Sequence, residues 1–308
     1  MVHYINKTLP FKIIASNNYL EKDSLFNLLN INHDIHDLKK YLIEKITLKN
    51  SDSLKFCKNE DFQKKILNLI NNDKNKIYIK FNKKYSEIIY NLNILELSKL
   101  YKCSLDLSFS NINNFSNLIY LHTLNLSGCK YIEDVSELCN LYELDLSYCD
   151  KITDVSYLSN LHTLILHKCN GIKDVSKLGN IHTLDLSGCN IKNISSLSNV
   201  HTLILSCCNK IKNRDLLHLT NVTNLDLSGC IKITDVSPLT NVRKLDLSCC
   251  YGITDVSNLG NVNDLNLSSC FSITDVSHLG NVTNLNLTCC YGITDLSNLK
   301  NVKNLELP

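Results

Sequence analysis

Four histidines, His122, His162, His182 and His201, recur at one position of a repeated segment, and imidazoles brought together in that way are ligands a zinc ion accepts. The same column runs on through Thr223, Arg243, Asn263, Thr283 and Lys303, with no carboxylate placed to orient a ring. It reads as a solvated column, and no metal is assigned. The second candidate chemistry is thiol chemistry, because the chain has 15 cysteines. Nine of them (Cys129, Cys149, Cys169, Cys189, Cys208, Cys230, Cys250, Cys270 and Cys290) each stand three residues after a leucine, where a small, weakly donating side chain serves as packing. Cys207, Cys249 and Cys289 double that column, but Cys249 and Cys289 are two repeats apart. At ~4.8 Å per stacked turn that is too far for one zinc ion. A nucleophilic thiol also needs a base or a positive field beside it, and the neighbours here are Asp, Ser and Asn. No catalytic residue and no cofactor are therefore assigned, and a non-enzymatic chain is expected.

The element that positions these residues is a repeat of 20 residues, seen at 222–241 as VTNLDLSGCIKITDVSPLTN. Its paired leucines return eleven times, from Leu105 and Leu107 to Leu305 and Leu307. A fixed period of this length belongs to a stack of similar turns. Within one turn, Leu225 and Leu227 alternate with Asp226, which predicts a short parallel strand with leucines inward and aspartate outward. Val222, Ile233, Val236 and Leu239 complete the filling, and the few residues left to return the chain leave no room for a long helix. Asn140, Asn160, Asn180, Asn199, Asn221, Asn241, Asn261, Asn281 and Asn301 recur before each strand, so an asparagine ladder is expected there. The aspartates of the Asp-Val-Ser segments, such as Asp154, Asp235 and Asp255, are expected to cap short helical turns.

The pattern LxxLxLxxC followed by xxITD resembles the cysteine-containing leucine-rich repeats of F-box proteins, and the DVSPL wording resembles internalin-type repeats. That resemblance covers about two thirds of the chain, departing from both in its 20-residue length. It implies an α/β fold: a leucine-rich-repeat solenoid with a parallel sheet of about 11 short strands, preceded by a mainly helical N-terminal cap. The expected division is 1–45, an F-box-like helical region; 46–104, a helical linker and cap; and 105–308, the repeats.

Residues 9–38 resemble an F-box. Leu9 and Pro10 open it, Leu20 precedes a polar turn, and Leu25 and Leu28 follow at helical spacing, while Lys12, Asn17, Asn18 and Ser24 depart from its usual residues. The resemblance implies that Leu9, Pro10, Leu20, Leu25 and Leu28 contact a Skp1-type adaptor, making the chain a substrate-recruiting subunit of a cullin-based ubiquitin ligase. The alternative is a free-standing binding or decoy protein, in which these residues only close the open end of the stack. Between 39 and 104, helices are expected over 61–70 and 85–97 and a strand over Ile77–Phe81.

Charge and surface pattern bound the partner. Residues 1–104 carry 18 Lys and Arg against 11 Asp and Glu, and residues 105–308 carry 14 against 19. The outward strand column is largely Asp and Asn, which repels phosphate, so no nucleic acid is expected. A protein ligand, basic in character, is expected on the strand face at Asp145, Ile165, His167, Asp185, Ile204, Asp226 and Asp246. Its most distinctive part is 164–205, where Ile165 and Ile204 interrupt the acidic column. No apolar run reaches the ~18 residues of a membrane span, and Lys7 and Lys12 break the only stretch resembling a leader. Sequons such as Asn125-Leu-Ser fall inside strands, so a cytoplasmic, non-secreted protein is expected. Two extra residues in 212–220 predict one irregular helical turn.

Overall fold

After the second leucine of each repeat an apolar residue returns at every third position: Leu227, Cys230, Ile233, Val236, Leu239 and Val242. A spacing of three belongs to tight i→i+3 turns, not to an α-helix. The computed structural model describes residues 46–69, 74, 77–82, 95–112 and 114–307. In it these six residues are at most 2% exposed. The chain moves between them by i→i+3 bonds: Cys230 N–H donates to Leu227 O at 3.0 Å, Ile233 to Cys230 at 2.9 Å, and Leu239 to Val236 at 3.0 Å. The last of these closes a one-turn 3-10 helix, Ser237–Leu239, and six other repeats carry its equivalent. The return path is thus short and tightly wound, as the length of the repeat requires.

The first bend demands a left-handed residue, as a turn of type II does at its third position. Gly128, Gly188 and Gly229 occupy it with φ of 72°, 67° and 66°, but Tyr148, Lys168, Cys207, Cys249, Ser269 and Cys289 adopt the same conformation with side chains. Stacking against neighbouring turns holds them there. Cys249 N–H, for example, donates to Ser268 O at 2.9 Å.

Two compact units are formed. The first comprises the described residues up to Leu107 together with Ser116–Asn125. It contains β1 (Ile46–Lys49), α1 (Ser51–Lys58), α2 (Glu60–Leu69), β2 (Ile77–Phe81), α3 (Leu95–Leu100), β3 (Lys102–Asp106) and β4 (Thr123–Asn125). β1 to β4 pair in parallel and in chain order, with Ile46 on Ile77, Ile79 on Cys103 and Leu105 on Leu124. Phe56 of α1 and Phe62 and Ile66 of α2 are buried, and Phe56 meets the ring of Tyr101 edge-on at 5.3 Å. The expected strand 77–81 is present, and α2 lies one residue before the expected helix. Of the helix expected over 85–97, only the last three residues are described, and they open α3. The residues of the F-box resemblance, Leu9, Pro10, Leu20, Leu25 and Leu28, lie outside the described residues.

The second unit comprises Ser108–Phe115 and the chain from Leu126 onward. Its strands are β5 (Glu143–Asp145), β6 (Thr163–Ile165), β7 (Thr183–Asp185), β8 (Thr202–Ile204), β9 (Asn224–Asp226), β10 (Lys244–Asp246), β11 (Asp264–Asn266), β12 (Asn284–Asn286) and β13 (Asn304–Glu306). Each pairs in parallel with the next, so that Leu225, Leu245, Leu265, Leu285 and Leu305 lie on one another. The irregular segment forms a short helix, α4 (Asn213–Leu216), between β8 and β9, as its two extra residues imply. Among the described residues there are thirteen parallel strands, against the eleven that paired leucines announce, because β1 and β2 fill their inward positions with Ile46, Leu48, Ile77, Ile79 and Phe81, without a leucine pair.

The cysteine column is the buried hydrogen-bonding device of the second unit. The thiol of Cys169 donates to Leu146 O at 3.0 Å, Cys230 to Leu205 O at 3.1 Å, Cys250 to Leu227 O at 3.2 Å and Cys290 to Leu267 O at 3.0 Å. Every acceptor is a leucine of the preceding turn. Burial pushes the thiols of Cys230, Cys250 and Cys270 up to about 12, so they remain protonated donors and poor nucleophiles. Of the asparagine ladder expected before the strands, one rung is present among the described residues. Those asparagines are exposed, and the pairing shown there is Asn221 to Asn199 at 3.3 Å. Apolar residues already fill the turn interior, so the amides are left outside. The Asp-Val-Ser caps do form: Asp154, Asp235 and Asp255 each accept from the serine amide two residues on at 2.9 Å. Those bonds hold the carboxyls of Asp154 and Asp255 below the usual range.

Leu227 O accepts both the amide of its own turn and the Cys250 thiol, so losing the thiol leaves no orphaned carbonyl. Cys250→Ala is therefore expected to cost about 1 kcal/mol, and Leu247→Ala about 2–5 kcal/mol through its cavity. Urea unfolding midpoints of the two variants check the ordering.

Candidate protein-binding face

The outward positions of each three-residue strand are its first and third, so the strand face of the second unit consists of two columns. The third-position column runs Asp145, Ile165, Asp185, Ile204, Asp226, Asp246, Asn266, Asn286 and Glu306. The first-position column runs from Glu143 through three threonines to Asn224, Lys244, Asp264, Asn284 and Asn304. Six of the seven expected site residues thus stand in one column, half-buried, and His167 follows Ile165 by two positions.

Like carboxylates on adjacent strands repel, and the fold compensates in two ways. Each aspartate accepts locally: Asp145, Asp185, Asp226 and Asp246 take the amide of the serine two residues on at 2.7–2.8 Å. In addition, neutral side chains intervene, Ile165 and Ile204 between aspartates and Asn266 after Asp246, whose Oδ2 receives the Asn266 amide at 2.8 Å. Asp226 is partly enclosed. Burial pushes it up, its serine bonds oppose the rise, and the charges of Asp246 and Asp185 add to it. Oδ1 of each aspartate is therefore structural, and in Asp246 Oδ2 also takes a partner, the Asn266 amide.

Amide side chains continue this network between turns. Asn224 donates to Thr202 Oγ1 at 3.1 Å, Asn284 to Asp264, Asn304 to the Asn284 oxygen at 2.5 Å, and Asn286 to Glu306 at 2.6 Å. Asparagine amides thus also link neighbouring turns along the strand face. A groove of about 680 Å³ runs along this face from β8 to β13. It includes Ile204, Asp226 and Asp246 among the expected residues, whereas Asp145, Ile165, His167 and Asp185, on or beside β5 to β7, lie outside it.

The histidine column is an aromatic stack. The Tyr142, His162, His182 and His201 rings follow one another at 4.4, 4.5 and 4.5 Å, with interplanar angles of 13–15°. Each imidazole Nδ1 lies 3.2 Å from the hydroxyl of the threonine that follows it. Rings that face one another present their nitrogens side by side, not toward a common point. Among the described residues, no group of three or more His, Cys, Asp or Glu has the geometry of a metal site. His167 makes a separate contact, its Nε2 3.1 Å from the Tyr148 hydroxyl, with the Lys168 ammonium over the same Tyr148 ring.

Two features were not foreseen: the amide network of the first-position column, and a row of exposed apolar residues directly after the cysteine column. Both sit at fixed repeat positions, so a comparison of exposed columns along the sequence would have found them.

The stacked parallel strands, tight return turns and inward leucine columns make this a leucine-rich-repeat solenoid. No protein-family model matches the chain, and no curated protein matches it. Among solved structures it is similar to an internalin, InlF, from Listeria monocytogenes, at 22% identity over 78% of this chain and 82% of that one, with a TM-score of 0.49. It is similar to the functional domain of InlJ from the same organism, described as including a cysteine ladder, at 20% identity over 72% of this chain and 59% of that one, with a TM-score of 0.40. A leucine-rich-repeat protein of Leptospira interrogans matches at 17% identity over 90% and 87% of the two chains, also with a TM-score of 0.40. These likenesses concern the fold alone.

Burial and the neighbouring His182 hold the His162 ring below its ordinary value of 6.5. The neutral His162 ring therefore adds stability above the imidazole value of an unfolded chain, and that stability is lost as pH falls through its folded value. His182→Gln is expected to raise the His162 pKa toward 6.5, read from imidazole proton shifts across pH 5–8.

Proposed function

We propose that this protein is a non-catalytic binding scaffold that holds a cationic segment of another protein on the strand face of its repeats. The observation that carries the reading is the groove along β8 to β13, which presents Asp226, Asp246, Asp264 and Glu306 in one continuous trough beside apolar Ile204. Carboxylates already anchored by backbone amides are preorganised for a positive ligand, because little side-chain freedom is lost on binding. The segment at Ile165 and His167, with Asp145 and Asp185, extends the same face toward β5 and supplies apolar anchors between acidic positions.

Within this reading, residues 9–38 serve as an F-box that docks a Skp1-type adaptor through Leu9, Pro10, Leu20, Leu25 and Leu28, so that the bound protein is delivered to a cullin-based ubiquitin ligase. The F-box resemblance supports this step. A reducing, cytoplasmic setting belongs to the same reading and is supported by free thiols at exposed Cys207 and at half-buried Cys249 and Cys289.

Proximity labelling in cells tests both parts. Ile165→Asp with Ile204→Asp is expected to remove partners seen with the wild type, while Leu9→Ala with Leu25→Ala removes an adaptor and leaves those partners. Unchanged labelling by the first pair refutes the strand-face assignment. Absence of an adaptor leaves a free-standing binding protein.

A further inference from the structure

The position that directly follows the cysteine column changes character along the second unit. It is polar and exposed at Lys130, Asp150, Asn170, Asn190 and Asn209. It then becomes Ile231, Tyr251, Phe271 and Tyr291, which are 53%, 46%, 52% and 72% exposed. Four apolar side chains on four consecutive turns form a ridge. Tyr251 and Phe271 stack face to face at 5.3 Å with 3° between their planes, and the Tyr291 hydroxyl donates to Cys289 Sγ at 3.5 Å, so the rings are held upright by their own turns. Scattered apolar residues on a surface need no explanation, whereas a contiguous row of this kind marks an interaction site.

The ridge stands on the turns of β9 to β12, whose strands supply much of the acidic groove. Between groove and ridge each turn exposes only small residues: Ser228 and Gly229, Ser248 and Cys249, Ser268 and Ser269, Thr288 and Cys289. Nearer the N-terminus of this unit the corresponding left-handed position carries the bulky Tyr148 and Lys168, and where it is small, at Gly128, Gly188 and Cys207, the residue after the cysteine is polar, so no apolar ridge stands there. Over these four turns a ligand can reach both surfaces at once.

We propose that the ridge is the apolar half of the binding face, and that its occupant is an extended protein segment alternating basic with aromatic or large aliphatic residues. This rests on the groove being the cationic site proposed above. An extended chain directs successive side chains to opposite sides. Laid over the small-residue floor, it turns its cations to Asp226, Asp246 and Asp264 and its apolar groups to Tyr251 and Phe271. Four turns at ~4.8 Å span ~14 Å, and same-side residues of a strand recur every ~6.6 Å, so about five or six residues are held.

The test uses the full chain and two fluorescent peptides of equal length and charge, alternating lysine with phenylalanine or lysine with serine, followed by anisotropy. The wild type is expected to bind the phenylalanine peptide at least ~10-fold more tightly, since one well-buried aromatic is worth that much. Tyr251→Ser with Phe271→Ser should abolish the preference and leave the serine peptide's affinity unchanged. Asp226→Asn with Asp246→Asn should weaken both peptides, the amides preserving the bonds to the serine N–H groups. A preference that survives the ridge substitutions overturns the proposal. A preference lost with the ridge but indifferent to the Asp substitutions supports the ridge and removes the acidic groove. Binding of neither peptide by the wild type overturns both. A concentration-dependent dimer in sedimentation that Tyr251→Ser with Phe271→Ser dissolves overturns the proposal and assigns the ridge to a second copy of the chain.

Discussion

Parallel strands stacked in register at ~4.8 Å require every side chain to tolerate its own counterpart directly above and below. This condition governs each column of the second unit. Leucine on leucine satisfies it by packing, and cysteine satisfies it by donating to the preceding turn's leucine carbonyl, as Cys230 does to Leu205. Imidazoles satisfy it as face-to-face stacked rings from His162 to His201. Left-handed residues satisfy it by bonding to the next turn, so Lys168 and Cys249 can stand where glycine is the easier choice.

Carboxylates are the group least suited to such stacking, and their persistence along the strand face is therefore informative. Asp145, Asp185, Asp226 and Asp246 are offset by serine amides and by the interposed Ile165, Ile204 and Asn266. Each anchored carboxylate commits one oxygen to its own turn, and Asp246 shares the other with Asn266. Binding of a cationic protein segment relieves the remaining repulsion, which links the electrostatics of the column to its proposed role.

Much of the fold was legible because it is written as spacing. The leucine pairs define strands β3 to β13, and the short return path excludes a long helix. The strand at Ile77–Phe81 was readable from its own alternation, but β1 escaped because Ile46 and Leu48 fill its inward positions without the paired-leucine signature. The asparagine column before the strands was readable as a recurring position, but recurrence alone does not say which of its amides reach a neighbour, as Asn221 does to Asn199. For the face itself, the Asp and Ile column was readable from strand alternation, but the groove formed by the first-position amides and the Tyr251–Phe271 ridge depend on which loops are small enough to leave them open. That is a property of neighbouring turns, not of any single residue.

Hydrogen exchange followed by mass spectrometry, with and without poly-lysine at low salt, tests most directly whether the acidic strand face is a recognition surface. Slowed exchange is expected in peptides covering β8 to β13, reversed by raising the salt concentration as exposed charges are screened. Exchange unchanged across those strands, or slowed only elsewhere in the chain, would contradict it.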